Sequence, residues 1–210
     1  MMRTTTAALL LLAGSAAAQA PSPPAATAPP LIAQIAPKVA TPLKVTSGGW
    51  ADGADIPFEF TQYRGNHFPG FSWTPGPEGT KAYALVMQDT DGVMRTTGGP
   101  ILHWVVFNLP ADTTKLDPAM TDLPRGAGYG PNYKGVGRPY LGPRTPPGPK
   151  HHYHVQVFAL DQPAPDTAAI SLPALTEAMQ GHVLASGEVV GLGQADPTAP
   201  PPKPPPPAAH

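Results

Sequence analysis

The chain has no cysteine among its 210 residues, which excludes a disulfide framework and thiolate metal sites. Charge is also scarce. Asp, Glu, Lys and Arg together make up 13 % of the chain, and the formal net charge is -1. No long-range field would gather nucleic acid or an anionic membrane surface, so any anion must be held locally. Long apolar runs are missing as well. The run Ala7 to Ala13 falls far short of the roughly 20 residues that a membrane-spanning helix needs. The chain shows no internal repeat, no nucleophile elbow, no phosphate-cradling glycine loop and no complete metal triad.

Proline (32 residues) and glycine (22) are abundant, but the prolines crowd into both ends and one internal loop. Arg3, the apolar run Ala7 to Ala13 and the small-residue site Ala18-Gln19-Ala20 read as a signal peptide over residues 1–20, cleaved after Ala20. The expected product is periplasmic or secreted. Residues 21–42 read as a Pro/Ala-rich linker and 194–210 as a proline-rich tail, whose Pro200 to Pro207 run favours polyproline II. That leaves 43–193, about 150 residues, the size of one domain with one core.

Within that domain the apolar residues come in short runs separated by Gly, Pro and Asp, which predicts an all-β sandwich. Clear strands are Ala82 to Gln88, Leu102 to Leu109 and Tyr153 to Leu160, with weaker ones at Leu43 to Thr46, Phe58 to Phe60 and Glu188 to Leu192. The second and third clear strands are apolar on both faces, as interior strands are. One helix is predicted, capped by Ser171, with Pro173 in its first turn and Leu175, Met179 and His182 at helical spacing. From Leu123 to Lys150 the chain is rich in Gly, Pro, Arg, Lys and Tyr. A loop that long in a small domain is commonly functional.

A period of two puts Asp89 on the face of Tyr83, Leu85 and Met87, at a strand end. Asp89-Thr90-Asp91-Gly92 also reads as a plain turn. It lacks the later acidic ligand of a calcium loop. The same period predicts that His103 shares a face with Ile101, Val105, Phe107 and Leu109, where burial lowers an imidazole pKa unless a carboxylate such as Asp89 opposes it. His151 and Tyr153 share one face of the third strand and His152 and His154 the other. Two histidines at such spacing could chelate a metal, but no third ligand can be assigned.

These segments together resemble the phosphatidylethanolamine-binding protein family, in particular its bacterial Raf kinase inhibitor-like branch. The resemblance runs from about Val45 to Leu192. It rests on Phe71-Ser72-Trp73, Pro77 to Lys81, Asp89-Thr90-Asp91, His103 to Pro110, Pro146-Pro147, His151-His152-Tyr153, Ala159-Leu160-Asp161 and Gly181 to Ala185. It implies a β-sandwich with one or two short helices, a long Gly/Pro-rich pocket loop and a small anion pocket. The implied ligand-binding residues are Asp89, Asp91, His103, Pro146, Pro147, His151 and Tyr153. Three departures stand out: Thr90 and Gly92 replace the family's proline and alanine, no aromatic residue precedes His103 in Gly99-Pro100-Ile101, and His152 stands where arginine is usual. These changes loosen the pocket rim and remove a fixed positive charge.

The expected function is that of a noncatalytic exported binding protein with no cofactor and no metal, recognising a small anion or phosphorylated head group. A protein partner, such as a protease or a kinase-like protein, is a further expectation; nucleic acid is not, nor is a transmembrane anchor once the signal is cleaved. Two alternatives stand beside it: inhibition of an envelope or extracellular protease through the surface, and hydrolysis by an Asp–His pair.

Overall fold

The computed structural model describes residues 29–200 except positions 95, 119, 136, 138 and 166–169. The predicted signal peptide and the last ten tail residues lie outside the described residues.

Two sheets pack face to face. The smaller has three strands in the order β1 (Val45–Ser47), β3 (Phe71–Trp73) and β6 (Lys115–Leu116). The larger has six: β2 (Ala54–Asp55), β9 (Val183–Gly193), β8 (His151–Leu160), β4 (Ala82–Val93), β5 (Pro100–Pro110) and β7 (Gly128–Tyr129), in that order across the sheet. The β2–β9 pair is parallel and the others antiparallel. The predicted β-dominated sandwich is present. The weak strand expected over Phe58–Phe60 is instead a single 3-10 turn, entered from Pro57. Proline fixes an extended-to-turn geometry and offers no N–H to a ladder.

The long strands are covered on both faces, as their unbroken apolar character implied. One face of β4 and β8 (Tyr83, Leu85, Met87; Val155, Val157) packs against Phe71, Trp73 and Leu116 of the small sheet. The other face (Ala84, Val86; Phe158, Leu160) is closed by Leu175 and Met179 of helix α1 (Leu172–Met179), and by Leu31 and Ile35. Each fully buried Val, Leu, Ile, Phe or Met among them contributes about 1.5–3 kcal/mol. Ser171 caps α1 as predicted, its Oγ accepting from the Ala174 N–H at 3.2 Å. His182 falls beyond the helix, just before β9.

Leu31 and Ile35 lie within 21–42, read above as linker. Their side chains are buried, and a 3-10 turn over Leu31–Ala33 is fastened to the sheet. The Leu31 N–H donates to Gln88 Oε1 (2.8 Å) and the Ile32 N–H to Gln156 Oε1 (2.6 Å). Pro/Ala-rich composition masked a short apolar pattern that becomes useful only because the outer sheet face needs a cover.

The predicted face of His103 requires correction. Val105 and Phe107 lie on the outer face with α1, whereas Trp104, Val106 and Leu109 lie between the sheets. Two bulges in β5 are the reason. The register to β4 slips between Leu102 and Trp104 and again between Val106 and Leu109, the second at Asn108, whose φ is +56°. Each extra residue reverses the alternation downstream.

Candidate functional site

Because β4 runs antiparallel to both neighbours, its C-terminal end meets the N-terminal ends of β5 and β8. Asp89 lies opposite Ile101 on one side and Tyr153 on the other. The bulge at His103 turns that ring towards the inter-sheet face, against Tyr153 (ring centroids 5.1 Å apart) and Tyr133 (5.3 Å). A cavity of about 590 Å³ opens here, lined by Asp89, His103, His151, Tyr153, Pro146 and Ile101, with Tyr133, Lys134 and Arg144 from the long loop.

Asp89 is almost fully buried, and its carboxylate is occupied from within the protein. Oδ1 accepts the Asp91 and Gly92 N–H groups at 3.0 and 2.9 Å, and Oδ2 accepts His151 Nδ1–H at 2.8 Å. Asp89 therefore closes its own turn and orients a histidine. Gly92 suits this packing, since a Cβ there would stand 2.5 Å from Ile101 Cδ1 and 2.9 Å from Asp89 Oδ2.

His103 Nδ1 lies 2.9 Å from the Leu141 carbonyl oxygen. A carbonyl can only accept, so Nδ1 carries a proton and the neutral ring leaves Nε2 as an acceptor. Burial holds this imidazole below its usual pKa range, against the opposing pull of the Leu141 carbonyl and the Asp89 charge. His151, bonded to Asp89 through Nδ1, likewise has Nε2 left over. The Tyr153 hydroxyl is 2.9 Å from Thr145 Oγ1, and burial, helped by Asp89, pushes its pKa up, so it stays a neutral donor. The cavity floor thus offers one phenol and two imidazoles that become donors on taking up a second proton.

Asp91 and Pro147 do not line the cavity. Asp91 Oδ2 instead accepts the His152 N–H at 2.6 Å and His152 Nδ1–H at 2.9 Å. Partial burial opposes its ionisation, but these bonds and the neighbouring imidazoles together hold its carboxyl below the usual range. His154 pairs separately with Glu188 at 2.9 Å. The strand histidines are thus tied to different carboxylates, and among the described residues no group of three His, Asp or Glu is placed to hold one metal ion.

Sequence reasoning missed Lys134 and Arg144. Each stands by an aromatic ring, with Lys134 Nζ 5.1 Å from the Tyr133 centroid and Arg144 Cζ 5.1 Å from that of Tyr63. Neither forms an ion pair among the described residues. The loop that carries them is held by Gln62, whose Nε2 donates to the Gly142 carbonyl (2.6 Å) and lies 2.8 Å from the Tyr133 hydroxyl. The Tyr133 N–H also donates to Leu102 O at 2.8 Å. Lys134 and Arg144 thus bring positive charge to the cavity from the loop. The concentration of Tyr, Lys and Arg in that loop was the available signal.

The sequence and the fold both have counterparts among known proteins. The phosphatidylethanolamine-binding protein family matches residues 46–194. A UPF0098 protein of Methanothermobacter thermautotrophicus is 35 % identical over 144 residues, spanning 67 % of this chain and 91 % of its own. The crystal structure of Escherichia coli YbcL, described as a new member of the mammalian PEBP family, superposes with a TM-score of 0.65 at 28 % identity, covering 74 % of this chain and 100 % of that one. A Mycobacterium tuberculosis chain named "Putative lipoprotein LppC" is 32 % identical over 157 residues, 72 % of this chain and 74 % of its own.

Proposed function

Since this chain belongs to the phosphatidylethanolamine-binding protein family, we propose that it is an exported, noncatalytic binding protein whose cavity holds a small oxyanion, as free phosphate or as a phosphorylated head group. The observation that carries the reading is convergence: His103, His151 and Tyr153 face one cavity, with Lys134 and Arg144 at its mouth. Asp89 is the positioning residue, its oxygens already engaged by two N–H groups and His151. Pro146 forms an apolar part of the wall. Asp91 and Pro147, expected as ligand-binding residues, take a supporting role in this reading, because Asp91 holds the start of β8 through His152. Charge-assisted hydrogen bonds from imidazolium and guanidinium to oxyanion oxygens supply the affinity.

Export through the segment 1–20 is part of the reading, and the lipoprotein name of the mycobacterial relative supports an envelope location. N-terminal sequencing of the protein recovered from an envelope fraction tests it, with a start at Pro21 expected and a start at Met1 overturning it.

Calorimetric titration with phosphate, phosphoethanolamine and acetate tests the pocket. A hydrogen bond to a charged group is worth about 1.5–3 kcal/mol, so His103→Ala should weaken phosphate binding about 10- to 100-fold. Arg144→Ala should weaken it less and flatten its salt dependence. Phosphoethanolamine binding more tightly than phosphate would identify a head-group site, and the reverse a free-anion site. Equal response of wild type and His103→Ala would remove the basis for the proposal.

A further inference from the structure

Gln88 precedes Asp89 on β4, and the strand's alternation sends its side chain to the opposite face. There Gln88 is 2 % exposed. The orientation of its amide follows from its partners. The Leu31 N–H donates to Gln88 Oε1, so that atom is the oxygen; the Ile32 N–H fixes Gln156 Oε1 in the same way, and Gln156 Nε2 then donates to Gln88 Oε1 at 3.0 Å. The two N–H groups of Gln88 Nε2 are left with no acceptor among the described residues. Donors placed at the wall of the adjoining space are free to pair with a molecule that enters it.

Gln88 lines a second cavity, of about 630 Å³, on the α1 side of the sheet. Leu31, Leu102, Met94 and Leu172 give it an apolar wall, while Thr176 and Glu177 of α1 stand at its edge. Glu177 has no ion-pair partner among the described residues and disfavours an anionic head. A cationic head would offer Gln88 Nε2 no acceptor. The ligand chemistry that answers all three features is an uncharged head with a carbonyl oxygen, joined to an apolar chain.

We propose that this cavity is a second binding site, independent of the anion pocket, for an uncharged medium-chain carbonyl amphiphile such as a fatty amide, whose carbonyl accepts from Gln88 Nε2. Met94 lines both cavities, so the β4–β5 turn is a wall common to the two.

The test is a heteronuclear NMR titration of the whole chain with octanamide, beside octanoate. The Gln88 side-chain amide resonances should move and saturate with octanamide, with octanoate at least tenfold weaker, while the His103 ring signals stay in place. Thr176→Trp and Thr97→Trp, which fill the cavity from α1 and from the β4–β5 turn, should each lose the octanamide response while keeping the dispersed wild-type amide spectrum. The site is overturned if the Gln88 resonances stay still at the solubility limit of octanamide, if octanoate binds as well as octanamide, or if a folded cavity-filling variant binds with wild-type affinity.

Discussion

Gln88 and Asp89 sit side by side on one strand, both nearly buried, and their side-chain oxygens are met in different ways. Asp89 faces the inter-sheet side, where its charge is met by two N–H groups of its own turn and by His151. Gln88 faces the α1 side, where its oxygen is met by a backbone N–H 57 residues earlier in the chain and by a second buried glutamine. The first arrangement is local and charged, and it shapes the cavity proposed to hold an anion. The second is non-local and neutral, and it ties the N-terminal segment to the sheet. Buried polar groups at neighbouring positions thus serve different ends because the pleat assigns them to different faces.

The largest expected effect comes from breaking the charged side. Asp89→Ala leaves two turn N–H groups and His151 without their acceptor, so urea denaturation should show a loss of about 3 kcal/mol, together with loss of phosphate binding. On the neutral side, Gln88→Leu removes the acceptor of the buried Leu31 N–H and should cost about 2 kcal/mol. Hydrogen exchange separates the two cases: Gln88→Leu should speed exchange at Leu31 and Ile32 first, whereas Asp89→Ala should expose the Asp91 and Gly92 amides. If both variants open the same amides, the two faces are not independent.

A smaller effect sharpens the comparison through pH. Burial lowers the His103 pKa in the folded protein, so the unfolded chain binds the more protons as pH falls. The neutral ring's contribution is fully present above the ordinary imidazole value of about 6.5 and is lost as pH drops from there towards the lowered folded value. Saturating phosphate should offset this loss, because it favours the protonated ring, and phosphate affinity should accordingly rise with acidity. Asp89, His151, Tyr133, Tyr153, Lys134 and Arg144 line the same cavity as the ring, so the slope is read as the difference between wild type and His103→Gln. Identical pH profiles for the two would contradict the buried neutral imidazole. The smallest effect serves as a control. Lys150→Ala removes an exposed ion pair with Asp55, whose side chains are 42 % and 50 % exposed, and should change stability by less than about 0.5 kcal/mol.

Much of this was legible in the chain. The alternation in β4 and β8 put Asp89, His151 and Tyr153 on one face, because β4 keeps its register to β8 up to Asp89 and β8 keeps its register to β9 from His151 to Ala159. His103 was given two wrong companions, Val105 and Phe107, since nothing near it marks the first bulge and Asn108 is only a faint sign of the second. Lys134 and Arg144 escaped notice because their loop has no period from which a direction could be read. Leu31 and Ile35 were hidden by the proline-rich context around them.

By itself the sequence determined which residue types stand at the strand ends, that the strands are interior ones, and that any anion must be held by a few local donors. Those features follow from composition, from period-two alternation and from the chemistry of single side chains, all of which act over short stretches of chain. Only the tertiary structure decided which donors and cations share a cavity and what covers the outer sheet face. These depend on strand register, on bulges and on contacts between residues far apart in the chain, whose energies arise only once the two sheets have packed.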